Sequence, residues 1–159
     1  MRFTLIDRIT ELKPNESITA IKALSLAEEY LHDHFPLFPV MPGVLMLEAA
    51  CQTGAWLVRK SEDFAHSMVL LKEARNVKYA DFVKPGQMLI VTCNVLKQDV
   101  TTTTLKFQGE LDGKTGVSGR LVLERFNIAD RTPTAGRRDK FMIEFQKSEF
   151  DLLYEPTES

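Results

Sequence analysis

At 159 residues, with 44% hydrophobic and 26% charged side chains, the chain has the make-up of one globular domain long enough to bury a sizeable core. Lys and Arg number 20 against 22 Asp and Glu, a formal charge of −2, and no basic run of five or more occurs, which argues against a nucleic-acid binder. No charged-then-apolar leader opens the chain, and the one long apolar stretch is interrupted by Glu48 and Gln52 and followed by Arg59 and Lys60, so neither a secretory leader nor a membrane span is expected. Cys51 and Cys93 both lie in apolar settings and read as buried free thiols of a reducing, cytoplasmic compartment.

In chain order, Leu5 to Leu12 mixes apolar and polar residues, Pro14-Asn15-Glu16 signals a turn, and Ser17 to Leu24 is expected as a strand. Ala27 to Leu31 is short and helix-prone, leading into His34-Phe35-Pro36-Leu37-Phe38-Pro39-Val40-Met41-Pro42. Three prolines fix φ and push their predecessors toward extended backbone, so this is a stiff loop, with Pro42 suited to open a helix. From Gly43 to Val58 nearly every residue is apolar or small, the mark of a helix buried all round, closed by Ser61-Glu62-Asp63. After Met68 the chain turns to β: Val69 to Leu71, a segment from Arg75 to Tyr79, and a Pro85-Gly86 turn. Gln87–Gln98 places Leu89, Val91, Cys93 and Val95 on one face; Thr101–Leu111 repeats the pattern with Leu105, Phe107 and Leu111. Asp112-Gly113 marks a hairpin, and Thr115–Phe126 returns with Val117, Leu121 and Leu123. One long helix beside a turn-rich antiparallel sheet predicts an α+β domain over residues 1–126. Residues 127–138 have linker composition, and Asp139 to Tyr154 spaces Phe141, Phe145 and Leu152 on one face, with Met142, Glu149 and Leu153 adjoining, as in an amphipathic helix. Residues 127–159 thus read as a linker plus extension, packing on its own domain or a neighbour, or serving as a lid or docking surface.

Glu48 stands out, because a carboxylate in apolar surroundings is costly unless partnered, and desolvation raises its pKa toward what a general acid needs. His34 offers a base with an unperturbed pKa near neutrality, and the free N–H groups of Gly43 and Val44 at the helix start can polarise a carbonyl oxygen. His32 and Asp33 with His34 make a poor metal site, since three adjacent loop residues do not converge easily; His66 reads as a surface residue.

His34-Phe35-Pro36, Pro39, Met41-Pro42-Gly43-Val44-Leu45, Glu48 and Gln52 together resemble the signature of the FabZ-type 3-hydroxyacyl-[acyl-carrier-protein] dehydratases, of the hotdog fold. The likeness extends to Arg2-Phe3-Thr4-Leu5-Ile6-Asp7-Arg8 and to Val83-Lys84-Pro85-Gly86, so it covers roughly residues 1–125. It implies a sheet wrapped around one central helix, and reversible loss of water from a 3-hydroxyacyl thioester to give the trans-2-enoyl thioester. It assigns His34 to the α-carbon and hydroxyl side, Glu48 to departure of hydroxide as water, the Gly43 and Val44 region to the thioester carbonyl, and Gln52 to orienting the acid or a water. It further implies no metal or cofactor, an acyl carrier protein as substrate partner, and an obligate homodimer with two shared sites, with a trimer of dimers as the higher assembly. Lys72, Arg75, Lys78 and Lys84 form a candidate landing patch for the acidic carrier, or equally a solvated face beside Glu73 and Asp81.

Two positions depart from the family, where glycines flank the His-Phe-Pro: here stand Asp33, whose charge would raise the His34 pKa, and Leu37, whose bulk would narrow a tunnel mouth. Two other functions compete: a hotdog acyl thioesterase, and a non-catalytic subunit that binds acyl chains.

Overall fold

The computed structural model describes residues 3–156; Arg2 of the N-terminal match and the last three residues of the 127–159 extension lie outside them. Strands β1 (Arg8–Lys13), β2 (Ser17–Ala23), β3 (Met68–Tyr79), β4 (Met88–Gln98), β5 (Thr102–Leu111) and β6 (Lys114–Phe126) build one antiparallel sheet in the order β1-β2-β4-β5-β6-β3. Helix α1 (Gly43–Ser61) packs against β2, β3, β4, β5 and β6, so the sheet wraps around it. A second helix, α2 (Gly136–Leu153), follows two 3-10 turns at Ile128–Asp130 and Pro133–Ala135. Among the described residues no helix is long and apolar enough to cross a membrane.

The strands form where the sequence alternates. In β4, Leu89, Val91 and Cys93 are buried while Met88, Ile90 and Asn94 face outward; in β5, Leu105, Phe107 and Leu111 are buried. Each such side chain, withdrawn from water against α1, stabilises the fold by about 2 kcal/mol. The helix lies close to the sheet at Gly54, where an added Cβ would stand 2.6 Å from Leu105 Cδ1 and 3.3 Å from Leu123 Cδ1. The β5–β6 hairpin turns at Asp112 (φ 51°) and Gly113 (φ 79°), the sign pattern whose twist suits paired strands. Both cysteines are buried free thiols, with Cys93 Sγ 3.7 Å from Ala50 O.

Several expectations are corrected. Ala27–Leu31 yields only a 3-10 turn, Glu29–His32, and Pro42, with ψ at 136°, is extended and caps α1 rather than opening it. Its carbonyl accepts from Leu45 N (2.9 Å) and Met46 N (3.3 Å). The two β segments after Met68 are one strand, β3, whose alternation is broken by bulges opposite β6, with Asn76 at φ 52° inside the second. α1 is not buried all round: Val44 is 67% exposed, and Glu48 and Gln52 are half-buried.

α2 is a helix as its spacing suggests, and it docks on its own domain through a different stripe from the one its apolar spacing marks. Phe141 (69% exposed), Phe145 (50%) and Leu152 (79%) face outward, while Asp139, Gln146 and Phe150 are buried. Polar groups choose the packed face here. Asp139 accepts hydrogen bonds from Ser67 Oγ and from the N–H groups of Ile128 (2.7 Å) and Ala129 (2.9 Å), and the Ser67 bond foremost holds its carboxyl below the usual range. Gln146 Nε2 donates to Ser67 O at 2.9 Å. Phe150 then packs between Trp56 (5.9 Å between ring centroids), Phe64 (5.8 Å) and Tyr154 (5.5 Å), under the Lys60 ammonium.

Candidate active site

The loop before α1 is closed by its own backbone. Phe35 and Phe38 exchange N–H···O bonds of 3.1 Å each way, and Val40 N donates to His34 O at 3.0 Å. The loop is moored to the body by Met41 N bonding Val83 O at 2.9 Å, and by Phe38 edge-on to Phe82. His34 Nδ1 lies 2.8 Å from Val40 O. A carbonyl only accepts, so Nδ1 carries the proton, and the neutral imidazole keeps the lone pair on Nε2. The loop thereby presents an imidazole of defined tautomer ahead of α1. His34 is half-buried and its ring stacks on Phe35 at 4.3 Å.

Gly43 and Val44 follow as the first two residues of α1, ahead of its first intrahelical donors, with their N–H groups at the positive end of the helix. A side chain at Gly43 would meet Tyr79, whose ring carbons come within 3.2 Å of an added Cβ, so glycine lets Tyr79 pack on the helix start.

One turn on, Glu48 and Gln52 are joined: Gln52 Nε2 donates to Glu48 Oε1 at 3.2 Å. Gln52 is itself pinned by the N-terminal segment, donating to Phe3 O at 3.1 Å and accepting from Leu5 N at 2.9 Å. Glu48 opens into a cavity of about 470 Å³, a size typical of small-molecule sites. Beyond Gln52 the cavity follows one face of α1 past Cys51, Ala55 and Trp56 to Arg59; its sheet side is Val69 to Leu71 and Leu123; and α2 lines it with Glu149, Leu152 and Leu153. Burial, helped by the charge of Glu48, pushes the Cys51 thiol up to about 12, which keeps it protonated and unfit as a nucleophile near neutral pH. Burial likewise pulls the Arg59 guanidinium, lying 4.8 Å over Trp56, down to about 10, against the opposing charges of Glu149 and Glu62.

The sequence therefore locates Glu48 and Gln52 in one chamber, but His34, Gly43 and Val44 are not among that chamber's walls within a single chain. Trp56 and Arg59 were missed as cavity residues, although they follow Glu48 and Gln52 at helical spacing, which was a readable signal. Glu149, Leu152 and Leu153 lie on the helix that the sequence offered as one alternative for a lid. Of the basic candidates, Lys72 and Arg75 line a groove of about 440 Å³ with Lys97 and Arg120, whereas Lys78 and Lys84 do not. Arg75 is bidentate to Glu73 at 2.8 Å, and Lys84 sits 5.8 Å over the Phe38 ring. His66 is only partly exposed and pairs with Glu62 at 3.0 Å. Asp33 is exposed at the end of the 3-10 turn, and Leu37 is 100% exposed at the loop tip.

Comparison with known proteins agrees with this architecture. A FabA-like domain matches residues 1–120. The 3-hydroxyacyl-[acyl-carrier-protein] dehydratase FabZ of Streptococcus equi subsp. zooepidemicus is 38% identical over 117 residues, 74% of this chain and 83% of that one. FabZ of Streptococcus gordonii is 37% identical over the same span and shares. Among solved structures, the dehydratase heterocomplex ApeI:P from Xenorhabdus doucetiae superposes with a TM-score of 0.66 at 18% identity, covering 84% of this chain and 90% of that one. A mutant thioesterase from Pseudomonas aeruginosa gives 0.60 at 18% identity, covering 75% and 80%; at such identities both show the fold alone. The chain belongs to the FabA-like domain family, in its FabZ-type 3-hydroxyacyl-[acyl-carrier-protein] dehydratase branch, and has the hotdog fold.

Proposed function

We propose that this protein dehydrates 3-hydroxyacyl thioesters carried on acyl carrier protein to trans-2-enoyl thioesters, in fatty-acid or related acyl-chain synthesis in the cytoplasm. The observation that carries the reading is the bond from His34 Nδ1 to Val40 O, which leaves Nε2 as a base on a moored loop. His34 Nε2 takes the C2 proton. Negative charge developing on the thioester oxygen is met by the N–H groups at the start of α1, with Gly43 as the principal donor and Val44 beside it. The electron pair then forms the C2–C3 double bond as the C3–O bond breaks, and the Glu48 carboxyl, held by Gln52, gives a proton so that the hydroxyl leaves as water. Proton return from His34 to Glu48 resets the site, so acid, base and polarised carbonyl suffice.

The reaction requires both groups in one chamber, and a single chain does not supply this. The uncovered strip of α1, with Val44 and the outward Phe35, Phe38 and Phe82, supports a homodimer in which His34 of one subunit completes the Glu48 cavity of the other. The acidic carrier would dock through the basic set Lys72, Arg75, Lys78 and Lys84, of which the first two share a groove with Lys97 and Arg120.

The test is kinetic. His34→Ala and Glu48→Ala should each lower turnover about 100-fold or more, followed by the absorbance of the conjugated enoyl product. Release of free thiol without enoyl absorbance would instead establish a thioesterase, and wild-type protein that binds acyl thioesters without converting them would be a non-catalytic binder.

A further inference from the structure

The family match ends at residue 120, so α2 lies outside it, yet α2 supplies one wall of the Glu48 cavity. That wall is fixed. Phe150 is 5% exposed in its aromatic cluster, and Asp139 and Gln146 tie the helix to Ser67 and to the turn before it. The cavity is apolar along Ala55, Trp56 and Leu123 and meets charge at Arg59 and Glu149, beside Leu152 and Leu153. A hydrocarbon chain entering from Glu48 would pass the apolar part freely and stop there, because advancing further means desolvating ions.

The geometry points to α2 as the element that limits acyl-chain length, with Leu153 and Trp56 forming the end of the chamber. Along α1, eight residues from Glu48 to Trp56 span about 12 Å, which an extended chain advancing about 1.25 Å per carbon covers in nine or ten carbons beyond C3. The substrate class is therefore a medium-chain 3-hydroxyacyl thioester of about twelve carbons. This inference rests on the dehydratase reading for the placement of C3 at Glu48.

Trp56 is the chain's single tryptophan, so its fluorescence reports on that end of the chamber alone. The full-length wild-type protein is titrated with pantetheine 3-hydroxyacyl thioesters of increasing length bearing bromine on the terminal carbon, and turnover is followed on the unbrominated series. Quenching should rise with length to a maximum near twelve carbons, and kcat/KM should drop at least fivefold beyond it. Leu153→Ala should move both limits upward by two carbons or more, and Leu153→Trp should move them down. Quenching that is independent of length, or a length profile unmoved by both variants, overturns the inference. Length-dependent quenching by thioesters that are never dehydrated would leave the role of α2 standing and remove the dehydratase reading instead.

Discussion

His34 and Gln52 take their orientation from backbone groups: His34 from Val40 O, and Gln52 from Phe3 O and Leu5 N. Such partners hold a side chain to one geometry because the loop or strand end cannot rotate away from it. Gln52→Ala removes the bond to Glu48 and leaves Leu5 N–H and Phe3 C=O without their partner, so it should lower stability by about 1–3 kcal/mol and kcat several-fold with KM little changed. Denaturant titration and steady-state kinetics check the two effects separately. His34 and Glu48 stood out in the sequence because each is chemically anomalous where it stands, an imidazole in a proline-braced loop and a carboxylate in a greasy run. The hold on Gln52 was not, since its partners lie 47 and 49 residues away and nothing in Phe3 to Leu5 advertises a contact made through the main chain.

At the scale of elements, β5 and the first half of β4 were readable because alternation and burial coincide, β6 because Val117, Leu121 and Leu123 are buried as their spacing suggests, and α1 because its apolar run is too long for a strand. β3 was split in the reading since its bulges break the period from which a strand is recognised. In α2, the face carrying Phe141, Phe145 and Leu152 is exposed, and the helix packs on its own domain through a stripe containing Asp139 and Gln146 that hydropathy did not single out. Those two polar side chains earn burial by satisfying Ser67 and the N–H groups of Ile128 and Ala129, a tertiary fact that periodicity does not encode. The apolar anchor of the packed face is Phe150. Phe150→Ala should cost about 3–5 kcal/mol and lower Tm by about 10 °C, whereas Phe141→Ala should leave Tm within about 2 °C; calorimetry of the two variants compares the faces directly.

For the molecule as a whole, exposed apolar side chains gather around Val44, Phe35, Phe38 and Phe82, and the sheet ends at the β3 edge. Its charge is distributed differently, with Lys72, Arg75, Lys97 and Arg120 around the groove that also holds Glu73 and Asp99. If this groove receives an acidic carrier, Lys72→Glu with Arg75→Glu should raise KM for carrier-borne substrate several-fold, with an effect that fades as salt rises, and should leave KM for a pantetheine thioester unchanged. Equal effects on both substrates would reject the docking surface.

The central claim is that a base on the loop of one subunit and an acid on the helix of the other act on one substrate. Co-expressing His34→Ala and Glu48→Ala chains, each nearly inactive alone, measures it. Random pairing gives mixed dimers in which one of two sites regains an intact His34 and Glu48, so activity should return to about a quarter of the wild-type level. A co-expressed preparation no more active than either variant alone, with mixed dimers demonstrated by mass, would contradict the shared site and with it the mechanism.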